Sequence, residues 1–237
     1  MLEFRNAEIY KLYFDKIASE NMGVDLSAVV NSIARYMFAE FQFDQIPIEE
    51  LHLSFDELDS LRNLLDNNLI ISLSVHAGTG ITEHEEEYVY FVFDELRDFC
   101  LARYLLTLDE SKSSSEYVAF FSNVTKLFEQ RLSPVEGMVK YAYHHFRMTA
   151  RTDLCEKILK TFGESDVQSI LDWEKRDLYR QRTFNNFGFS LVFSEGDNIA
   201  SFEIDYILHC VENDCSHYWE IFWFLLGNEY SGFKPNI

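Results

Sequence analysis

The sequence predicts a mainly α protein: an N-terminal module of helices carrying one β-hairpin, followed by a stack of short antiparallel helices. Three observations lead there. Apolar residues recur at helical spacing over most of the chain. The period changes to that of strands around a single Gly-bearing polar loop. Capping boxes then recur at short intervals through the second half. Three Pro and nine Gly among 237 residues argue against long flexible linkers and against a turn-dense all-β fold. A hydrophobic content of 47% is enough for a packed core.

The first helix is expected over 2–19, where Leu2, Ile9, Leu12, Tyr13, Ile17 and Ala18 share a face and Gly23 ends the run. A second fits 26–41 through Val29, Val30, Ile33, Met37 and Phe41, after which Pro47 breaks the pattern. Ser54-x-x-Glu57 is a capping box that opens a third helix to about Asn68, carrying Leu58, Leu61, Leu64 and Leu65. Residues 69–75 and 88–93 are rich in β-prone side chains and enclose the polar loop 76–87. A hairpin after three helices reads as a winged-helix-like module. Asp94 can cap the next helix, which runs to about Leu108.

Residues 109–116 are polar and divide the chain into a winged-helix-like domain, 1–112, and an α-helical repeat-like domain, 113–237. Beyond that point Ser113-x-x-Glu116, Ser133-Pro-x-Glu136 and Ser165-x-x-Gln168 predict helices near 117–131, 135–148 and 166–182. Pro134 takes a first helical position, where its missing N–H is no loss. A further helix over 152–162 is closed by Gly163. Residues 188–196 fit a short strand or a loop, helices are expected over 199–212 and 216–226, and 227–237 reads as coil. Short helices joined by tight turns imply side-by-side stacking, although no fixed-period repeat is present.

Charge excludes several function classes. Twenty Lys+Arg against forty Asp+Glu give a net −20, which repels phosphate backbones and anionic lipid heads. Residues 1–112 carry 8 Lys+Arg and 22 Asp+Glu, net −14, against 12 and 18, net −6, for 113–237. The hairpin loop holds Glu83, Glu85, Glu86 and Glu87 where a DNA reader needs cations. Neither nucleic acid nor membrane is therefore expected as a partner. Four scattered cysteines (Cys100, Cys155, Cys210, Cys215) do not make a disulfide framework, the N-terminus is no signal peptide, and no apolar run is long enough to span a bilayer. The expectation is a cytoplasmic protein with reduced thiols.

The run Tyr90-Phe-Val-Phe-Asp-Glu-Leu-Arg-Asp-Phe-Cys-Leu-Ala-Arg-Tyr-Leu-Leu106 resembles the junction in STAND-class (NACHT-like) NTPases where the last winged-helix strand runs into a helix. Phe91, Phe93, Asp98, Phe99, Ala102, Tyr104 and Leu105 fill the places of that pattern, and acidic Asp94 and Asp98 make it most similar to bacterial antiphage STAND ATPases. The likeness extends over roughly 1–108. It implies a non-enzymatic regulatory and protein-interaction segment of a signalling ATPase in antiviral defence, with the ATPase core or sensor region as partner. The chain has no G-x-x-x-x-G-K-[ST] run, so ATP and Mg²⁺ are implied only for an upstream ATPase domain and no cofactor for this chain. Phe93 stands where many relatives place a His that contacts ADP, and a phenyl ring cannot donate to a phosphate.

Other constellations carry weaker chemistry. Asp94-Glu95 imitates a Walker B strand end but equally complements a helix N-terminus. His84-Glu-Glu-Glu-Tyr88 begins like a zinc-protease helix yet lacks the second His. His209-Cys210 with Cys215-x-His217 is a Cys₂His₂ set whose adjacent members diverge by about 100° on a helix, and His144-His145 shares that fault. Neither a catalytic residue nor a metal ligand is assigned. Arg176 and Arg180, in the one concentrated basic stretch, and Trp219 and Trp223, in a dense aromatic run, are candidate partner-binding residues. An alternative function follows from charge alone: a free-standing acidic helical adaptor or inhibitor that binds a basic protein surface.

Overall fold

The computed structural model describes residue 16 and residues 26–77, 84–112, 115–130, 134–163 and 199–213. The elements expected at 2–19, 166–182, 188–196 and 216–226, and the tail 227–237, lie outside the described residues. Within them the protein is mainly helical with a small antiparallel sheet.

Helix α1 (Leu26–Glu40) buries Val29, Val30, Ile33 and Met37 as its spacing dictates. It stops one residue before Phe41, which turns left-handed at φ 53°. Asn68 and Ala150 do the same just beyond the ends of later helices, at φ 53° and 56°. Such residues end helices where a glycine is the usual choice. Strand β1 (Ile46–Pro47) and a single 3₁₀ turn (Glu49–Leu51) lead to α2 (Phe55–Asp66). The Ser54 capping box forms as expected. Glu57 N–H donates to Ser54 Oγ at 3.3 Å, and Ser54 N–H to Glu57 Oε2 at 2.9 Å. Ser32 Oγ on α1 also donates to Glu57 Oε1 at 2.8 Å, so the cap ties two helices together. These hydrogen bonds, with Ser54's backbone foremost, hold the Glu57 carboxyl below its ordinary range.

Strands β2 (Ile70–Ala77) and β3 (His84–Phe91) form the hairpin, and the sheet order is β1–β3–β2. The strands run further than composition suggested. Ser74, Val75 and His76 pair with Glu87, Glu86 and Glu85, so the acidic run is ladder rather than loop. Ile46, Ile70 and Val89 face the core from the three strands.

Helix α3 (Asp94–Ser111) follows directly. Its N-cap is Phe93, with no side-chain cap, and Asp94 is the first helical residue rather than the cap. Arg97 explains the difference, because it engages the Asp94 carboxylate at 3.0 Å. Helix α4 (Val118–Gln130) is capped from a distance. Asp109, buried near the end of α3, accepts from Ala119 N–H at 2.9 Å and Phe120 N–H at 2.8 Å. These are the second and third residues of α4, whose amides have no partner inside the helix.

Helix α5 (Pro134–Met148) starts at Pro134, as the sequence indicates. The chain divides into two compact units inside α5, between Ala142 and Tyr143. The polar stretch 109–116, expected as a domain boundary, lies within the first unit. The second unit holds α6 (Thr152–Ile158), which continues as a π-turn through Gly163, and α7 (Ser201–Asn213). Tyr143, Phe146, Leu154, Ile158 and Phe162 are buried in it. The carboxylate of Glu203, fully buried, accepts from Tyr143 Oη at 2.5 Å and from Arg147 Nε at 3.0 Å and Nη2 at 3.1 Å. It also accepts from the Ala200 N–H at 2.6 Å. No described helix is long and apolar enough to cross a membrane.

Candidate functional site

The richest polar geometry among the described residues lies where β3 passes into α3. Val92 N–H donates to Leu69 C=O at 3.2 Å, which holds the strand end against the end of α2. Phe93 is extended, and its C=O accepts from Leu96 N–H at 3.1 Å and Arg97 N–H at 3.2 Å, starting the helix. Asp94 and Glu95 occupy the first turn, where the helix dipole favours negative charge.

Arg97 is the centre. Its side chain is 4% exposed, which an isolated cation cannot sustain. Carboxylates surround it: Asp98 Oδ1 lies 2.9 Å from Nη2, Asp94 Oδ1 3.0 Å from Nη1, and Asp44 Oδ1 3.5 Å from Nη1. Asp44 and Asp94 reach in from solvent, with 87% and 81% of their side chains exposed, whereas Asp98 is buried. Burial pushes the Asp98 carboxyl up to about 7, and the attraction of Arg97 offsets that only in part. Helix α5 presses on this group at Gly137, where an added Cβ would lie 2.6 Å from Asp98 Cβ. A glycine inside a helix marks such a close approach. One turn further on, Phe99 meets Tyr141 edge-on at 5.3 Å.

Beside Arg97 opens a cleft of about 250 Å³, walled by Phe43, Tyr90, Phe91 and Leu73, with Asp44, Gln45 and Asp94 around it. Phe38 supports the Phe43 wall, edge-on at 5.9 Å, and stacks on Tyr104 at 6.1 Å. Aromatic walls below exposed carboxylates suit an ammonium or guanidinium group with an apolar stem.

No family model matches the chain. Nor does any curated protein or solved structure.

The residues singled out in the sequence are placed as follows. Asp94 and Glu95 sit on a helix start, with Asp94 bound to Arg97. His84–Tyr88 lies on strand β3, not in a loop or on a helix. His209 is exposed on α7, and Cys215, His217, Arg176, Arg180, Trp219 and Trp223 lie outside the described residues. Among the described residues no three His, Cys, Asp or Glu side chains are grouped to hold a metal ion. Cys100 and Cys155 are buried in the core and not joined in a disulfide, and burial pushes the Cys100 thiol up, away from the reactive thiolate. Sequence reasoning missed Arg97 as a buried cation and missed the cleft beside it. Two signals pointed there: Arg97 three residues after Asp94, and a lone glycine at position 137 inside a strong helical pattern.

Proposed function

We propose that this chain is a non-enzymatic regulatory and protein-interaction segment of a STAND-type signalling ATPase of antiviral defence, acting in the cytoplasm. Its first unit is read as a winged-helix module. The observation that carries the reading is the order helix, short strand, helix, hairpin, helix with the strands arranged β1–β3–β2. The junction pattern supports it too. Asp98 and Phe99, two residues of that pattern, turn towards α5 at Gly137 and Tyr141, whereas Phe93 is 56% exposed at the start of α3.

On this reading the helix pair α3 and α5 passes a change in the ATPase core to the sensor region. Phe93, at the surface where relatives carry a nucleotide-contacting His, supplies only an apolar contact. ATP and Mg²⁺ belong to the ATPase core. The test is the size of the native polypeptide, by denaturing immunoblot of source-cell lysate with antibody raised to this chain. A band well above 28.0 kDa is expected. A band at that mass would remove the linked-core version of the proposal. Binding of MgATP with phosphate release by the purified chain would overturn the non-enzymatic assignment.

A further inference from the structure

Among the described residues the sheet has one edge that lacks the usual protection. There β2 has one neighbour, β3, in the sheet order β1–β3–β2. It is eight residues long, and its sequence, Ile-Ile-Ser-Leu-Ser-Val-His-Ala, contains no Pro, Lys, Arg, Asp or Glu. Proteins ordinarily blunt such an edge with charge, proline or a bulge, since unpaired main-chain groups recruit further strands.

The direction of those groups follows from the register. Glu87 C=O accepts from Ile48 N–H on the β1 side of β3. Antiparallel pairs alternate, so the hydrogen-bonded pairs between β2 and β3 are Ile71–Tyr90, Leu73–Tyr88 and Val75–Glu86. The N–H and C=O groups of Ser72 and Ser74 therefore point out of the sheet edge. On one face the same strand carries Ile71, Leu73 and Val75, all exposed, with Tyr88 and Tyr90 beside them across the ladder. Leu73 and Tyr90 also wall the cleft at Arg97, so the apolar stripe runs into the aromatic pocket with its acidic rim.

We propose that the outer edge of β2 docks an extended, basic segment of a partner protein by strand addition. Alternate apolar side chains of that segment cover Ile71, Leu73 and Val75. Its cationic side chains lie in the negative field of Glu85, Glu86 and Glu87 and of the exposed Asp44 and Asp94, both engaged by Arg97 through Oδ1. Charge selects this occupant. Glu85, Glu86 and Glu87 line the adjoining strand, within a Debye length of anything laid on the edge. Asp44 and Asp94 stand exposed at the far end. A second copy of the chain would bring another −20 and the same glutamates, which disfavours self-pairing. Main-chain pairing supplies affinity and alternate pockets supply specificity, the mode of β-augmentation. The inference does not depend on the ATPase reading, and its test gives the same answer whatever the size of the native polypeptide.

The experiment titrates the full chain into a fluorescent peptide of alternating Lys and Val, matched in length to β2. A peptide of alternating Glu and Val is the control. Two variants probe the edge. Ser74→Pro removes an outward N–H without touching the ladder to β3, and Leu73→Lys puts a cation on the exposed stripe. Both sites are exposed, and circular dichroism checks that the variants stay folded. Saturable binding of the Lys/Val peptide is expected, weakened about tenfold or more in each variant and steeply by salt. No binding, equal binding of the Glu/Val control, or binding untouched by both variants would overturn the proposal. So would a parent dimer, seen by sedimentation, that Leu73→Lys splits, since the edge would then belong to a second copy.

Discussion

Two buried carboxyl groups, one in each compact unit, are supplied with hydrogen-bond donors to very different degrees. In the second unit Glu203 is fully buried and receives hydrogen bonds from Tyr143, Arg147 and the Ala200 amide. In the first, Asp98 is buried against Gly137 with Arg97 as its partner, and that guanidinium is shared with Asp94 and Asp44. Several donors aimed at one buried carboxyl leave none of its oxygens without a hydrogen bond. At Asp98 burial pushes the carboxyl up to about 7, and Arg97, which also engages Asp94 and Asp44, offsets that only in part.

The sharpest way to break this contrast is Glu203→Ala. It leaves the Arg147 guanidinium and the Tyr143 hydroxyl without their common acceptor. Removing one partner of a buried pair destabilises by about 3–5 kcal/mol. A clear fall in the urea midpoint of the full chain is expected, and a change under about 1 kcal/mol would show that the network is dispensable.

The first cluster is probed by pH. Because the Asp98 carboxyl is higher in the folded state, at about 7, than its ordinary 3.8, the native state holds the extra proton between those values. Its stabilisation is fully present below the lower value and is lost as pH rises towards 7, with a limiting slope of about 1.4 kcal/mol per pH unit. Asp98→Asn removes this dependence. Subtracting the stability–pH curve of the variant from that of the parent cancels the other carboxyls, Glu57 and Asp153 among them. The difference should fall from pH 4 to 7 and then flatten; a difference that is flat throughout would place Asp98 as a permanently charged partner of Arg97. Gly137→Ala tests the same packing from the other helix. Its methyl meets Asp98, and overpacking of this kind destabilises by about 1–3 kcal/mol. Denaturant midpoints that match within error would mean α5 moves aside freely.

What the sequence revealed and what it concealed divide along the range of each interaction. The Ser54 box was legible because cap and capped residue lie within one turn, and the start of α5 because Pro134 suits a first helical position. The extent of β3 was not. Three successive glutamates favour no strand by composition, yet pairing with Ser74, Val75 and His76 draws them into the ladder. Asp94 looked like a cap until Arg97, itself readable only as a surface charge, took its carboxylate. Glu203 and Arg147 lie on separate helices, so no linear motif joins them. The cleft beside Arg97 is assembled from the segment before β1, both hairpin strands and the start of α3, which no local pattern announces.

Asp109 is the intermediate case and gives the smallest effect. Like Glu203 it is buried and fully engaged, but its donors are backbone amides, of Ala119 and Phe120, rather than charged side chains. A polar stretch containing such a residue reads as a linker, because its partners leave no trace in side-chain identity. In the fold it is the stop that seats α4 against α3. Asp109→Ala frees two amides at the start of α4, and the loss of an N-cap destabilises by about 0.5–2 kcal/mol. Asp109→Asn keeps one acceptor oxygen and should recover part of that loss. Hydrogen exchange at Ala119 and Phe120 is the direct readout: faster in the alanine variant, intermediate in the asparagine variant. Unchanged exchange in both would mean that α4 is held by its apolar face alone, through Phe120, Val124 and Leu127.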